Sequence, residues 1–422
     1  MTLTAWIALA VIFVTVWALI KRYETRITLI AAGLFLCVIC LAPMTGLDQF
    51  AKSMTNKSLI MAICGSMGFA FVASYTGCDR SLVHYLAAPV RGLGIFLIPV
   101  CTAITFFVNI ALPSASGCAA AVGSTLIPVM LRAGIKPAGA AAAVLGGTVG
   151  SYLSPGTSHN PFVAKMANMD VMDFIGTHFN YSLMCGAILL VGVLLSCWIL
   201  GDNKGDANAK IDESKIKKDD NFKPNPLKAL VMIVPIAILV CGNLWIPAIK
   251  MGVAQAMLIG AICALCVSRC NIQTFSKEFF NGMGKGYAEV MGIIIAAGVF
   301  AAGLRASGLI DICVDALKHS NEFARWGGSL GPWIMAVITG SGDAATLAFN
   351  EAVTPHAETF GMTIHGLGGL AFLTGALGRT MSPLAGVTIL VSGIAMVSPF
   401  EVIKRTVVPC VVAVIACALL MV

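Results

Sequence analysis

Charged residues are scarce in this chain: Asp, Glu, Lys and Arg make up only 11% of its 422 residues, whereas hydrophobic residues make up 58%. So few polar side chains do not cover the surface of a water-soluble protein of this length. Long uncharged runs, such as residues 6–20, 27–42, 185–200 and 407–422, approach the roughly 20 residues with which a helix crosses a bilayer. The composition predicts a polytopic membrane protein with about ten to twelve spans.

Motifs that would assign the chain to other classes of protein are missing. The alternating pattern of outer-membrane barrel strands is absent, so an all-α protein is expected. No G-x-x-x-x-G-K-[ST] motif is present, which excludes a primary pump with a P-loop. G-x-S-x-G and H-E-x-x-H are also missing, and the adjacent Ser158 and His159 point apart on any regular element. An intramembrane hydrolase is therefore the least favoured alternative, and we expect no enzyme.

The fifteen cysteines do not indicate disulfides or a metal site. Most of them lie inside apolar runs, where cysteine behaves as a small hydrophobic residue and meets no oxidant. Residues 263–266 form a C-x-x-C pattern within an apolar run, but no second Cys/His pair completes a tetrahedral site. We expect no metal and no cofactor apart from a coupling ion, either Na⁺ or a proton.

The basic residues favour a membrane orientation rather than an anionic partner. Lys21 and Arg22 follow the first apolar run, and no small-residue cleavage site accompanies them, so this run is expected to stay as a helix. The positive-inside rule places these residues in the cytoplasm and the N-terminus outside. The same rule accounts for the net charge of +7, so no nucleic-acid partner is expected.

One polar segment divides the chain nearly in half. Residues 201–226 are dense in both charge signs, with glycines early and two prolines at the end, which is typical of a solvated linker. We predict an extra N-terminal helix in residues 1–25, a first repeat in 26–200, this linker, and a second repeat in 227–422.

Short matching sequences on the two sides of the linker support two repeats. GGTVGSYLSP (146–155) and TGALGRTMSP (374–383) share the frame G-x-x-G-x-x-x-S-P. Upstream of each lies a second interrupted apolar element, ALPSASGCAAA (111–121) in the first half and ITGSGDAATLAF (338–349) in the second. Apolar segments interrupted by Gly, Pro and Ser at corresponding places in two halves indicate the binding site of a secondary transporter.

Helices broken within the membrane are suited to binding an anion. Their N-terminal ends carry partial positive charge and unpaired N–H donors, and such backbone is tolerated only where it lines protein or a cavity. Arg379 lies at one break with apolar sequence on both sides, so we interpret it as a carboxylate ligand. The other substrate-binding candidates are the small and polar residues near the breaks: Ser114, Ser116, Gly117, Thr157, Ser158, His159, Asn160, Ser341, Gly342, Ser382 and Pro383.

Two residues are candidates for binding a coupling ion. Asp343 would repel a dianionic substrate unless it is protonated or paired with a cation, so a coupling role predicts that it is buried beside a broken helix. The alternative is a solvated hairpin tip. Asn109 precedes the first break and offers a carbonyl oxygen to a cation. For His159, three roles stay open, namely carboxylate ligand, proton acceptor and surface loop residue.

The whole chain resembles the anaerobic C4-dicarboxylate carrier family of the "C" type. The resemblance is carried by residues 296–310, 339–349, 377–387 and 397–409, with a weaker match in 114–135. It implies a secondary carrier for succinate, fumarate, malate or aspartate in the bacterial cytoplasmic membrane. The sequence departs from the family pattern at Asp343, where Asn is more usual, and in TSHNP (157–161).

The resemblance also implies a fold and an assembly. Members of the larger ion-transporter superfamily have two inverted repeats, a scaffold domain and a transport domain with two re-entrant hairpins and two broken helices, and they are typically homodimers with an elevator-type movement. The hairpin tips fall at 114–117 and 340–343, and the breaks at 154–158 and 379–383. Two alternatives within transport are a sodium/proton antiporter and a carrier of another small organic anion.

Overall fold

The structure is a computed structural model that describes residues 3–21, 23–87, 94–202, 223–310, 312 and 321–421. Every regular element in these ranges is helical, with no strand among them, so the expected all-α class is confirmed. Residues 203–222, most of the predicted polar linker, lie outside the described residues.

Ten α-helices precede the linker. They are α1 (Leu3–Ile20), α2 (Thr25–Ile39), α3 (Pro43–Met54), α4 (Lys57–Thr76), α5 (Cys78–Ala87), α6 (Leu97–Ala111), α7 (Ala115–Arg132), α8 (Pro137–Gly147), α9 (His159–Met166) and α10 (Val171–Ile199). The first apolar run is therefore one continuous helix, as its uncharged sequence predicts.

Ten further described α-helices follow the linker. They are α11 (Pro226–Val231), α12 (Val234–Leu244), α13 (Val253–Ser268), α14 (Ile272–Lys285), α15 (Gly292–Ala306), α16 (Asn321–Thr339), α17 (Gly342–Ala352), α18 (Ile364–Thr380), α19 (Gly386–Ala395) and α20 (Pro399–Leu420). A π-helical turn, Gly286–Met291, joins α14 to α15 without a break.

Several helices are long and apolar enough to cross a bilayer. Among the described residues, 5 helices meet this condition: α4, α7, α10, the continuous α14–α15 segment and α20. Shorter apolar helices accompany them, at α1, α2, α6, α12, α13 and α19. Long and short apolar helices together support the predicted multi-pass membrane protein, and the short ones include pieces of the interrupted elements.

Helices from the two halves of the chain pack against one another through glycines. Gly33 of α2 and Gly303 of α15 face each other: a Cβ atom at Gly303 would lie 2.5 Å from the carbonyl oxygen of Gly33. In the same way, a Cβ atom at Gly282 of α14 would lie 2.6 Å from the carbonyl oxygen of Met67 of α4. Without side chains at these positions the backbones approach closely, which is how membrane helices gain packing contacts.

A buried ion pair fixes the chain at the start of the predicted linker. Arg405 of α20 donates to Asp202 from its Nε atom and one terminal nitrogen, at 2.9 Å for each. Both side chains are almost fully buried, and the carbonyl oxygen of Asp202 accepts a hydrogen bond from the amide of Lys136, next to α8. Asp202 therefore belongs to the packed helices rather than to the solvated linker.

The linker itself is expected to be replaceable. We predict that a Gly/Ser chain of equal length in place of residues 203–222 keeps substrate exchange within about twofold of the native rate, because such a chain spans the same distance without packing. Exchange of a labelled C4-dicarboxylate, the substrate class that the family resemblance implies, measures this in proteoliposomes. A protein that inserts normally but no longer exchanges this substrate would show that the segment docks or gates.

Candidate functional site

Four helical elements are interrupted at the places that the sequence predicts. The chain leaves the helix between α6 and α7, between α8 and α9, between α16 and α17, and between α18 and α19. The break after α8 is longer than expected, because it spans residues 148–158 and contains a 3₁₀ turn, Gly150–Leu153. Arg379 and Thr380 belong to the last turn of α18, so the second break begins at Met381.

Serine caps begin both helices that follow the shorter interruptions. The hydroxyl oxygen of Ser114 accepts a hydrogen bond from the amide of Gly117 at 3.2 Å, and that of Ser341 accepts one from Ala344 at 3.2 Å. Each cap uses one of the free N–H groups of a helix N-terminus and leaves the partial positive charge of that terminus in place.

Glycines of the shared sequence frame make matching contacts in the two halves. Gly150 lies directly against the carbonyl oxygen of Phe106 in α6, and Gly378 lies directly against that of Trp333 in α16. Phe106 precedes the cap Ser114 by eight residues, and Trp333 precedes the cap Ser341 by eight. Gly150 and Gly378 therefore contact the helix before each serine cap at the same sequence distance from that cap.

Polar side chains of the first break mainly support its own backbone. Asn160 donates to the carbonyl oxygens of Tyr152 and Ser154, at 3.0 and 2.7 Å. The hydroxyl of Thr157 donates to the carbonyl oxygen of Ser151 at 2.8 Å. The amide oxygen of Asn109 accepts from the amide of Ser151 at 2.7 Å.

Through these hydrogen bonds Asn109, Thr157 and Asn160 stabilise the backbone of the first break. Asn109 also donates its side-chain amide to the carbonyl oxygen of Leu112 at 2.9 Å, so it ties the end of α6 to the first break. The oxygen of Asn109 that could bind a cation is the one that accepts from Ser151, and its role as an ion ligand stays a prediction.

The second break is held in a similar way. The hydroxyl of Ser382 donates to the carbonyl oxygen of Val337 at 2.7 Å, which joins the break to α16. Gly340 adopts a positive φ of 74°, and a Cβ atom there would lie 2.7 Å from the carbonyl carbon of Leu384. Only glycine combines this conformation with this approach, so Ser382 and Gly340 position the element around the half-buried Pro383.

A side-chain contact joins the start of α9 to the N-terminus of α17. The Nε2 atom of His159 lies 3.0 Å from a carboxylate oxygen of Asp343. The imidazole is only 3% exposed and stacks on the ring of Phe372, with ring centroids 4.6 Å apart. Asp343 is 57% exposed although its neighbours Gly342 and Ala344 are buried. Asp343 thus lies between the two alternatives: the first turn of α17 faces an open space, but one carboxylate oxygen contacts a buried imidazole.

Arg379 lies next to this pair and is incompletely satisfied. One terminal nitrogen donates to the carbonyl oxygen of Thr148 at 3.1 Å, and it lies 3.4 Å from the hydroxyl of the same residue. The Nε atom is buried and has no hydrogen-bond partner among the described residues. A Cβ atom at Gly342 would lie 3.2 Å from the Cβ atom of Arg379, which places the guanidinium stem against the start of α17.

Two further predicted residues make no hydrogen bond with these charges in the part of the chain that the structure describes. Ser116 is exposed two residues after the Ser114 cap, and Ser158 is half-buried before α9. Sequence reasoning missed Thr148, in the first break, which contacts Arg379, and Phe372 of α18, which stacks on His159. Thr148 lies inside the repeated sequence frame, which could have identified it as a site residue. No sequence pattern marks Phe372.

A groove lies along the part of α9 that follows His159. It has a volume of about 740 Å³ and is bordered by α4, α9 and α13, with Lys165, Asp170, Asp173 and Gln255 along it. No cluster of three or more potential metal ligands occurs in the ranges that the structure covers.

Comparisons with known proteins identify the family of the chain. Residues 48–422 match the family described as "DcuC: C4-dicarboxylate anaerobic carrier". An uncharacterized transporter of Haemophilus influenzae is 45% identical over 64% of this chain and 99% of its own length. The anaerobic C4-dicarboxylate transporter DcuC of Escherichia coli is 28% identical over 85% of this chain and 78% of its own length.

A solved structure supports the fold independently of close sequence similarity. MtrF of Neisseria gonorrhoeae, from a class of antimetabolite efflux pumps, matches with a TM-score of 0.62 at 14% identity, over 91% of this chain and 85% of that chain. At this identity the match shows the fold alone. Since the family match extends over most of the sequence, the chain belongs to the C4-dicarboxylate anaerobic carrier family, a family of transporters rather than enzymes.

Proposed function

We propose that this protein is a secondary carrier that moves a C4-dicarboxylate such as succinate, fumarate, malate or aspartate across the bacterial cytoplasmic membrane. The observation that carries this proposal is Arg379, a half-buried cation whose Nε atom is buried and unpartnered, at the meeting point of two interrupted elements. A guanidinium group in such a place is suited to binding a carboxylate with two parallel hydrogen bonds.

The two ends of the substrate bind to different groups in this proposal. Arg379 holds one carboxylate, and the capped N-termini of α7 and α17, with Ser116 and Gly117 on the first of them, attract the other. The distance between these two groups selects a four-carbon dianion. A monocarboxylate fills only one of them and binds more weakly.

Transport by alternating access follows from two inverted repeats in residues 26–200 and 227–422. The matching serine caps and the matching contacts of Gly150 and Gly378 support this repeat. The transport domain comprises the four interrupted elements, which act as two re-entrant hairpins and two broken helices. It slides as an elevator against a scaffold that contains α2, α4, α13 and α15 and that forms the homodimer.

A sodium/proton antiporter is the second candidate, because a pair of titratable side chains, His159 and Asp343, lies in the same site. An antiporter that carries only cations has no use for Arg379, whose positive charge opposes cation binding. A carrier of another small organic anion would use Arg379 in the same way and differ in the second group of contacts.

The proposal is tested by exchange in proteoliposomes that contain the purified protein. Labelled external succinate is expected to enter vesicles loaded with unlabelled succinate, and excess external fumarate, malate or aspartate is expected to compete. Acetate serves as the control, since it has a single carboxylate. Exchange that is absent, or that acetate inhibits as strongly as fumarate does, contradicts the proposal.

A further inference from the structure

The contact between His159 and Asp343 carries information beyond substrate binding. It joins residues 184 positions apart in sequence, one at the start of α9 and the other in the first turn of α17. In the proposed organisation these helices come from different repeats, so the pair connects both halves at the site. We propose that His159 and Asp343 together form a proton site, and that one proton bound there accompanies each dicarboxylate.

The geometry allows the imidazole to gain a proton without losing its partner. Its Nε2 atom is engaged by Asp343 at 3.0 Å, whereas its Nδ1 atom is buried and has no partner among the described residues. Imidazole is the side chain that normally changes its charge between about pH 5 and pH 8. Asp343 is 57% exposed and its partner only 3%, so the carboxylate connects the open space to the buried ring.

Few other charges act on this pair. Arg379 of α18 faces Asp343, and its positive charge favours the ionised carboxylate. The cations Arg305 of α15 and Lys165 of α9 instead lie near Glu351, at the opposite end of α17. The charge of the site is therefore set by Arg379, Asp343 and His159.

Charge counting links the proton to the substrate. With a neutral imidazole, the charges of Arg379 and Asp343 cancel, and a bound dianion leaves the site with two uncompensated negative charges. With an imidazolium at His159, only one negative charge is left. Because charges interact strongly away from bulk water, the dianion binds better to the protonated site. The empty, unprotonated site has no net charge, which favours its return without substrate.

A proton fits this site better than Na⁺ does. Hard cations prefer a shell of oxygen ligands. Here the partner of the Asp343 carboxylate is a ring nitrogen rather than an oxygen ligand. This contact forms a titratable pair.

The inference rests on the proposed function, and one preparation tests both separately. In proteoliposomes with the membrane potential clamped at zero, labelled succinate is taken up under a one-unit pH gradient, alkaline inside, or under an inward Na⁺ gradient. One-proton symport predicts about tenfold accumulation with the pH gradient and none with Na⁺. Failed succinate exchange without gradients would refute the proposed function. Normal exchange with accumulation driven only by Na⁺, or by neither gradient, would refute the proton site.

Substitutions test whether accumulation under the pH gradient depends on His159 and Asp343. His159→Gln keeps a hydrogen-bond donor but cannot titrate, so its accumulation under the pH gradient is expected to fall to about the level without a gradient. The matched control is His178→Gln, which removes another buried histidine in contact with Phe372 and should retain accumulation. Gradient-driven accumulation by His159→Gln at the wild-type level overturns the inference.

The single variant Asp343→Asn separates a shared proton from one held by His159 alone. If the two side chains hold one proton between them, Asp343→Asn loses gradient-driven accumulation as fully as His159→Gln does. Wild-type accumulation by Asp343→Asn, with normal insertion and detectable exchange, contradicts a shared proton. Accumulation is normalised to exchange in each preparation, so a general loss of folded protein does not imitate the effect.

Discussion

Replacing Arg379 by lysine is expected to reduce succinate exchange about 10- to 100-fold at subsaturating succinate while leaving expression and insertion near normal. Lysine keeps the charge but replaces the flat guanidinium fork by a single ammonium, so one of two parallel hydrogen bonds to the carboxylate is lost. A hydrogen bond to a charged group contributes about 1.5–3 kcal/mol. That energy corresponds to roughly 10- to 100-fold in affinity.

The control for this variant is Arg269→Lys, the same substitution at an exposed position after α13. It should leave the dependence of exchange on succinate concentration unchanged. If Arg379→Lys shows the same half-saturating succinate concentration as the native protein, Arg379 is not a ligand of the substrate. Its hydrogen bonds to Thr148 would then be its main role.

Gly150→Val is expected to have the largest effect on folding. Gly150 lies directly against the carbonyl oxygen of Phe106, so any side chain there pushes the first break away from α6. Overpacking of this kind typically costs 1–3 kcal/mol, and a clash with rigid backbone is expected to reach at least about 3 kcal/mol. Thermal unfolding of the detergent-solubilised protein, followed by size-exclusion chromatography, measures the loss.

The thermal stability of Gly150→Val is compared with that of two further variants. Gly378→Val should destabilise the protein similarly, because Gly378 meets the carbonyl oxygen of Trp333 in the equivalent place. Gly393→Ala is the control, since a Cβ atom at Gly393 meets nothing within 4 Å and α19 is helical there. A Gly150→Val protein as stable as Gly393→Ala would contradict the tight crossing of the first break with α6.

Local chain chemistry made the interruptions predictable from sequence. Ser-Pro at 154–155 and 382–383 and the glycines before them mark places where a helix ends, whatever surrounds them. The serines at 114 and 341 are typical helix caps, and the structure places both as caps. The extent of the first break was less predictable, since its 3₁₀ turn depends on Asn109 and Asn160 holding the backbone.

Contacts between the halves were not predictable, because they join residues far apart in sequence. Arg379 and Thr148 are 231 positions apart, and nothing in either local sequence specifies the other. The same holds for His159 and Asp343, although both lie where the sequence departs from the family pattern. The exposure of Asp343 depends on the direction that the first turn of α17 faces, which packing decides.

The most direct test of the substrate site is a cryo-electron microscopy structure of the purified protein with bound succinate. We expect one carboxylate within hydrogen-bond distance of the Arg379 guanidinium group, and the other near the N-termini of α7 and α17. Succinate bound instead in the groove along α4, α9 and α13, with Arg379 still bonded only to Thr148, would contradict the proposed site.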